Sequence, residues 1–225
     1  MVRRQIAARG VHDPRLLQAM ESLPRELFVP PQHRHAAYED RALPNALDQT
    51  ISQPYMVAYM TELLAVGPGM KVLEVGTGTG YQAALLALLG GRVYTIERLA
   101  PLAETARAAV AGLTVPRLPP IAFHVGDGTL GLPAEAPFDR IMVTAAAPRV
   151  PPPLLDQLAE GGRLVAPVGE ADCQVVVRVD RRVGRFVETP GLACRFVKLM
   201  GARGWQPRAG DATAAGPPPR DNARG

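Results

Sequence analysis

The sharpest chemical feature of the sequence is a glycine-rich segment, Glu74-Val75-Gly76-Thr77-Gly78-Thr79-Gly80-Tyr81. It stands between a predicted strand and a predicted helix, where glycines let a ligand approach the backbone and the helix N-terminus offers free amide groups. The dinucleotide fingerprint requires glycine at position 81, which holds tyrosine here, and the lysine of a phosphate-binding P-loop is absent. The spacing favours a different ligand-binding loop over a plain strand-to-helix turn. Its candidate binding residues are Gly76, Thr77, Gly78 and Gly80.

Two acidic residues follow the next two predicted strands. Glu97 ends the second strand, about twenty residues after the loop, where a carboxylate can accept hydrogen bonds from both hydroxyls of a ribose. Asp127 stands between Gly126 and Gly128 after the third strand, where it can accept from an adenine amino group or form an Asx turn. Because the carboxyl ends of parallel strands meet at one sheet edge, these residues and the loop trace an adenosine-shaped ligand. For Glu97 alone, a solvated acid at a strand end is the alternative.

These residues depend on an alternation of strands and helices that begins at Lys71. The predicted strands cover residues 71–75, 92–97, 121–125, 140–144 and 163–168, and the predicted helices cover 81–89, 101–111 and 154–159. This alternation indicates a parallel sheet with helices on both faces and right-handed crossovers. Two later alternating runs, 175–179 and 186–199 with a break at Pro190-Gly191, predict an antiparallel pair at one edge. The fold class is therefore doubly wound α/β with a mostly parallel sheet.

The N-terminal segment predicts a helical cap on this sheet. Asp13 and Pro14 form a strong helix start, with Asp13 as the cap, and later prolines keep the following segments short. We expect one domain over residues 1–204, in which 1–68 form the helical cap and the substrate side and 69–204 form the ligand-binding sheet. Residues 205–225 are rich in Gly, Pro, Ala and Arg and predict a flexible tail, although the isolated Trp205 is suited to docking on the body.

Composition and charge argue against several classes of protein. The formal net charge is +4, of which the four arginines and two aspartates after Gly201 account for +2, and no dense basic stripe suggests a nucleic-acid partner. No apolar run reaches the ~18 residues of a membrane helix, and no apolar stretch follows the basic N-terminus, so we expect a cytoplasmic protein without a membrane partner. The two cysteines and four histidines lack metal-ligand spacing, which predicts reduced thiols and no metal.

Four stretches, one of which contains the glycine loop, carry a family resemblance. They are Thr50-Ile51-Ser52-Gln53-Pro54-Tyr55-Met56-Val57-Ala58 and residues 72–82, 138–148 and 161–169. Together with Glu97 and Asp127, they resemble the protein-L-isoaspartate O-methyltransferases, a family of seven-strand methyltransferases. The resemblance runs from the N-terminal helices to about Trp205. It implies a Rossmann-like methyltransferase fold with S-adenosylmethionine as cofactor. It also implies that the protein methylates the free α-carboxylate of isoaspartyl residues in damaged proteins, which initiates their repair.

The same resemblance implies the acceptor side of the site. It makes Ser52 the active-site serine, which donates to the substrate carboxylate or orients it, with Thr50, Ile51 and Val57 in the same wall. From the residues alone, the better interpretation of Ser52 is an N-cap of the helix that follows it. The family usually has proline where this chain has Lys198, so we expect the cover of the cofactor to differ locally.

The implied reaction needs no general base. An α-carboxylate is already ionised at pH 7, and its reaction with a sulfonium neutralises both charges, so a dry site and correct positioning suffice.

Residues 145–147 are alanines where nitrogen methyltransferases usually carry an Asn/Asp-Pro-Pro-Tyr turn, which favours an oxygen acceptor or reflects packing alone. The alternatives are a small-molecule or RNA methyltransferase, a cofactor-binding regulator without turnover and, more distantly, a nicotinamide dehydrogenase. We expect a monomer with loose sequence preference.

Overall fold

A seven-stranded sheet covered by helices forms the body of the protein, whose computed structural model describes residues 1–115 and 118–206. The strands are, in chain order, β1 (Leu43–Pro44), β2 (Thr50–Ile51), β3 (Lys71–Val75), β4 (Arg92–Glu97), β5 (Ala122–Val125), β6 (Phe138–Val143), β7 (Leu158–Gly169), β8 (Gln174–Arg182) and β9 (Arg185–Cys194). The α-helices are α1 (Pro14–Ser22), α2 (Pro54–Leu64), α3 (Tyr81–Leu88), α4 (Ala100–Ala111) and α5 (Pro152–Asp156). Shorter helical turns cover Val2–Ile6, Ala7–Arg9, Arg25–Phe28, Pro31–Ala36, Gly128–Leu130 and Pro133–Glu135.

The strand order creates a ligand crevice in the middle of the sheet. The order is β5-β4-β3-β6-β7-β8-β9, in which β5 to β7 are parallel and β8 and β9 are antiparallel, while β1 pairs with β2 separately. The chain runs outward from β3 to β5 and then crosses back to β6 on the other side. In doubly wound sheets, ligands bind at the carboxyl ends of the strands beside such a reversal. The predicted doubly wound α/β fold with antiparallel edge strands is confirmed.

Both faces of the central strands are buried, because helices cover each of them. In β3, Val72 belongs to the core under the N-terminal helices, whereas Leu73 and Val75 belong to the core on the opposite face. This division follows from the two-residue period of a strand, and it explains why the central strands are almost continuously apolar.

The N-terminal helical cap packs on one face of the sheet. The Asp13 side chain accepts hydrogen bonds from the backbone N–H groups of Arg15 (2.9 Å) and Leu16 (3.5 Å) and caps α1 as predicted. Leu16 and Met20 of this helix are buried in the same core as Val72. The cap thereby brings the segment before α2 against the sheet edge that carries the glycine loop.

One predicted helix is shorter than expected. Residues 154–159 were predicted to be helical, but α5 ends at Asp156 and β7 begins at Leu158. The reason is tertiary: Leu158 is fully buried and pairs with Phe138, whose N–H donates to the carbonyl of Gln157 (2.8 Å). Sheet pairing therefore overrides the local helical composition.

The edge strand also differs from its prediction. The expected break at Pro190-Gly191 is a register shift inside a single strand, since Val175 pairs with Ala193 and Val177 pairs with Pro190. An edge strand tolerates proline, because the lost N–H is not needed by another strand. The second predicted run, 186–199, leaves the sheet after Cys194.

The end of the described chain is folded against the body. Trp205, the first residue of the predicted tail, donates from its indole Nε1 to the carbonyl of Ala146 (3.0 Å). It therefore docks on the body, as the alternative for this residue expected. The rest of the predicted tail, from 207 onward, lies outside the described residues.

Among the helices of residues 1–115 and 118–206, none has the length and apolar character that crossing a bilayer requires. Those ranges also hold no group of three or more His, Cys, Asp or Glu side chains suited to a metal.

Candidate active site

A cleft of about 1020 Å³, including its space open to solvent, lies at the carboxyl ends of β3, β4 and β6. Its walls come from the segment before α2, the glycine loop, the ends of the three strands and the segment after β9. The predicted site residues that line it are Thr50, Ile51, Ser52, Val57, Gly76, Thr77, Gly78, Glu97 and Gly128. The structure thus brings together the donor-side and acceptor-side predictions, except for Gly80 and Asp127, which do not line the cleft.

The glycine loop serves packing at one position and leaves room for a ligand at another. Gly76 has a φ of +96°, and a Cβ there would collide with the Thr144 hydroxyl, which donates to the Gly76 carbonyl (2.6 Å). Gly78 has a φ of +53°, and no protein atom lies within 4 Å of the position that its Cβ would take. The space beside Gly78 is the cradle that close approach of a ligand to the backbone requires.

Gly80 lies at the start of the helix that follows the loop and does not line the cleft. It is the N-cap of α3, and a Cβ on it would lie 3.2 Å from Val110 and 3.3 Å from Ala106. Its φ of +87° and the close packing of α3 on α4 both account for glycine at this position, and contact of Gly80 with a ligand stays a prediction.

Glu97 is held rigidly at the end of β4. Its Oε2 accepts from the Gly78 N–H and its Oε1 accepts from the Leu99 N–H, each at 3.1 Å, and the residue is 8% exposed. A carboxylate has about four lone-pair sites, so each oxygen keeps capacity to accept another donor in the cleft. This arrangement suits the two hydroxyls of a ribose.

A second acid, Glu74, lies beneath the loop and is fully buried. Its Oε2 accepts from the Thr95 hydroxyl (2.5 Å), and Thr95 Oγ1 lies 2.6 Å from Thr77 Oγ1, so a polar chain connects Glu74 to the cleft wall. Burial raises the pKa of Glu74 to about 8, and the nearby charge of Glu97 acts in the same direction. The buried site beneath the loop therefore favours the neutral form of Glu74.

Ser52 is not the N-cap of α2. The N-cap is Gln53, which makes no side-chain cap bond, and within the described ranges no hydrogen-bond partner is found for the Ser52 hydroxyl. Ser52 lines the cleft and also a neighbouring cavity, whose other walls include Met56, Cys194 and Arg195. The alternative that Ser52 caps α2 is therefore wrong. Ser52 lies where the cleft and the neighbouring cavity adjoin.

Arg25, which no sequence pattern singles out, holds the segment that carries Ser52. Its Nη2 donates to the Ser52 carbonyl (2.7 Å), its Nε donates to the Ala37 carbonyl (2.8 Å), and its Cζ lies 5.0 Å from the centre of the Tyr81 ring. The side chain is fully buried with no acid within 4 Å among the described residues, and burial lowers the pKa of its guanidinium. A buried arginine has no periodic or motif signal, so only the fold reveals it.

The segment after β9, which we call the strap (residues 196–205), closes one side of the cleft. Ala146 anchors it twice through the backbone, since its N–H donates to the Val197 carbonyl and its carbonyl accepts from the Leu199 N–H, both at 2.7 Å. Phe196 and Met200 of the strap line the cleft. The alanines at 145–147 thus serve packing, as one alternative expected, while Ala145 also faces the cleft.

Asp127 is engaged with the strap and with its own turn. Its Oδ1 accepts from the N–H (2.9 Å) and hydroxyl (2.6 Å) of Thr129, and its Oδ2 accepts from the N–H of Ala202 (2.7 Å). The turn alternative therefore accounts for the two bonds from Thr129. The bond from Ala202 of the strap is one that sequence reasoning missed. Contact of Asp127 with an adenine amino group stays a prediction, whereas the adjacent Gly128 does line the cleft.

Residues 1–204 match the family model of the protein-L-isoaspartate(D-aspartate) O-methyltransferases. The chain belongs to this family. A protein-L-isoaspartate O-methyltransferase from Methanoculleus marisnigri is 52% identical over 206 residues, which cover 92% of each chain. Another from Geobacter metallireducens is also 52% identical over 206 residues, covering 91% of this chain and 94% of the relative. The predicted family, enzyme class and activity are confirmed, and the dehydrogenase alternative is excluded.

Solved structures agree with this assignment. A protein-L-isoaspartate O-methyltransferase structure superposes with a TM-score of 0.77 and 30% identity, covering 91% of this chain and 67% of that chain. A methyltransferase structure from Plasmodium falciparum superposes with a TM-score of 0.75 and 24% identity, covering 86% of this chain and 94% of that one. The second likeness supports the fold alone.

Proposed function

We propose that this chain methylates isoaspartyl α-carboxylates in the cleft between the glycine loop and the segment that carries Ser52. The observation that carries the proposal is the position of Ser52. It does not cap α2, and it lines the same cleft as Gly78 and Glu97. Donor-side and acceptor-side groups, which are far apart in sequence, therefore meet in one space.

S-adenosylmethionine supplies an electrophilic methyl group on a sulfonium sulfur. The residues that would hold it are Gly76, Thr77 and Gly78 through the loop backbone, Glu97 through the ribose hydroxyls, and Gly128 and Asp127 at the adenine end. The open space beside Gly78 and the free lone pairs of Glu97 fit such a ligand. Membership of the protein-L-isoaspartate(D-aspartate) O-methyltransferase family supports the same ligand class.

The acceptor enters from the side of Ser52. The cavity that Ser52 shares with the cleft has room for residues flanking the isoaspartate, and its walls mix apolar groups such as Met56 with charged groups such as Asp40 and Arg195. A mixed wall suits varied flanking sequences better than one fixed sequence. Thr50, Ile51 and Val57 would confine the acceptor beside the Ser52 hydroxyl.

Catalysis then depends on positioning and not on proton transfer. The acceptor carboxyl has a pKa of about 3.5 and is ionised at pH 7, so no residue has to remove a proton. The Ser52 hydroxyl donates a hydrogen bond to one carboxylate oxygen and leaves the other free to attack. Apolar residues around it, including Ile51 and Val57, which are 4% and 5% exposed, exclude water and favour dispersal of the two charges.

We infer that residues 1–68 form the substrate side of a single domain that extends through the strap, and that the enzyme acts as a monomer on isoaspartyl-containing proteins. We also infer a cytoplasmic enzyme that needs neither nucleic acid nor membrane. Free Cys173 and Cys194 support this compartment, because thiols stay reduced there. Size-exclusion chromatography tests the monomer, and a stable dimer would contradict it.

The experiment that tests the site assignment is Ser52→Ala. Loss of the hydroxyl should lower kcat for an isoaspartyl peptide by about 10-fold to 100-fold, because a hydrogen bond to a charged group contributes ~1.5–3 kcal/mol. Affinity for S-adenosyl-L-homocysteine, measured by calorimetry, should stay within a few-fold of wild type. Ser22→Ala, whose hydroxyl donates to the Ala19 carbonyl in α1, is the matched control. Collapse of cofactor binding in Ser52→Ala would instead give Ser52 a structural role.

A further inference from the structure

Among residues 1–115 and 118–206, two cationic side chains and one acidic side chain line the cleft, and one of the cations is Lys198. The anion is Glu97, whose two oxygens already accept backbone N–H groups, and the other cation is the exposed Arg98. Lys198 is exposed, and no carboxylate lies within 4 Å of its ammonium in the described part of the chain. The cleft therefore presents a lysine charge that the protein itself does not neutralise.

The backbone of Lys198 is fixed although its side chain is exposed. The residues on either side of it are bonded to Ala146, through the Val197 carbonyl and the Leu199 N–H, both at 2.7 Å. The Lys198 Nζ lies 5.4 Å from the centre of the Trp205 ring, which is itself tied to Ala146. The aromatic face stabilises the ammonium without consuming its hydrogen-bond donors, so these donors stay available to a ligand.

We propose that Lys198 is a carboxylate-binding residue of the cleft. The proposal rests on the function proposed above, whose two reactants each carry a carboxylate: the isoaspartyl α-carboxylate of the acceptor and the amino-acid carboxylate of the donor. An ammonium offers three donors to either group. The family resemblance leads one to expect an uncharged proline at this position, so the Lys198 ammonium is a departure of this chain from that pattern.

The test exploits the lysine content of the chain, which is limited to Lys71 and Lys198. Lys71 binds Glu135 (3.6 Å) and does not line the cleft, so Lys71→Arg leaves Lys198 as the single lysine and keeps the charge. The rate at which acetic anhydride acetylates Lys198 is measured by mass spectrometry of the digested protein. A carboxylate bound to the ammonium should slow this reaction by up to about fivefold, the range of an exposed ion pair.

Two ligand pairs distinguish the two sources of carboxylate. S-adenosyl-L-homocysteine is compared with 5′-methylthioadenosine, which lacks the amino-acid carboxylate. An isoaspartyl peptide is compared with the same peptide as its α-carboxamide, with S-adenosyl-L-homocysteine present in both. Protection by only the carboxylate member of either pair supports the proposal and names the source. Equal protection within both pairs shows steric cover alone, and no protection shows no contact; either result overturns the proposal.

Steady-state kinetics of variants at Lys198 provide the second readout. Lys198→Met should raise KM for the reactant that supplies the carboxylate by up to about fivefold with kcat little changed, and Lys198→Arg should restore the wild-type KM. Equal KM values in all three proteins would overturn the proposal even if wild type methylates isoaspartyl peptides normally. Absence of methylation by wild type would contradict the proposed function instead, while the acetylation comparison with the two nucleosides still reports on Lys198.

Discussion

Arg25 donates from its guanidinium to the backbone carbonyl of Ser52 at 2.7 Å, from a position that is fully buried. The same side chain bonds the Ala37 carbonyl and lies over the Tyr81 ring at the start of α3. One cation therefore joins the helical cap, the acceptor segment and the helix behind the glycine loop. Because burying a cation without an acid is costly, we expect Arg25 to be retained for positioning Ser52.

Arg25→Lys should lower kcat/KM for an isoaspartyl peptide by about 10-fold to 100-fold. A single ammonium cannot reproduce the planar fork that reaches two carbonyls while lying over a ring, and hydrogen bonds from charged donors contribute ~1.5–3 kcal/mol each. Steady-state kinetics and thermal unfolding are measured together. Arg34→Lys is the control, because Arg34 makes one longer bond to the Val29 carbonyl (3.4 Å). A variant that unfolds earlier but keeps wild-type kcat/KM when folded would refute the positioning role.

Glu74 should make stability depend on pH. Burial, with a smaller contribution from the charge of Glu97, raises its pKa to about 8 from an ordinary value of 4.5. Between these values the folded chain holds a proton that the unfolded chain has released, so the free energy of unfolding falls as pH rises from about 5 to about 8. The slope is on the order of 1 kcal/mol per pH unit for one group.

Glu74→Gln removes this titration, so the stability of wild type relative to the variant should decline across that pH window and level off above it. Urea unfolding at several pH values measures the difference, and Glu104→Gln, exposed on α4, is the control. A relative stability that does not change between pH 5 and pH 8 would show that Glu74 is not protonated in the folded protein.

Gly78→Ala should separate cofactor binding from folding. Its Cβ meets no protein atom within 4 Å but would occupy space in the cleft, so affinity for S-adenosyl-L-homocysteine should fall at least about tenfold. The left-handed backbone costs about 1–2 kcal/mol of stability. Gly184→Ala, in the turn between β8 and β9, has a similar φ of +68° and equally open space, and should show that stability loss alone. Equal affinities in the two variants would mean that the ligand does not approach Gly78.

The sequence predicted β3 and β4 to the residue, because a glycine turn adjoins each apolar run: Gly76 follows β3, and Gly90-Gly91 precede β4. β3 and β4 have the predicted boundaries, and Glu97 and Gly78 reach the cleft as expected, since both sit at carboxyl ends of parallel strands. Predictions of this kind depend on local patterns that the fold preserves. The family assignment added Ser52, for which the local pattern alone favoured a helix cap.

The remaining features arise from contacts between distant residues. Arg25 has no local signal, because its partners at positions 37 and 52 are backbone carbonyls that any residue provides. Gly80 belongs to helix packing because α4 happens to lie against it, and residue 158 joins a strand because Phe138 pairs with it. The bond from Asp127 to the strap spans 75 residues and has no counterpart in a motif.

Methyl transfer from labelled S-adenosylmethionine to two synthetic peptides tests the central claim most directly. The peptides are identical except that one contains an isoaspartyl linkage and the other an aspartyl linkage. Base-labile label on the isoaspartyl peptide alone is the predicted result, because only that linkage presents a free α-carboxylate beside Ser52. Equal labelling of both peptides, or no labelling while S-adenosyl-L-homocysteine still binds, would contradict the proposed acceptor.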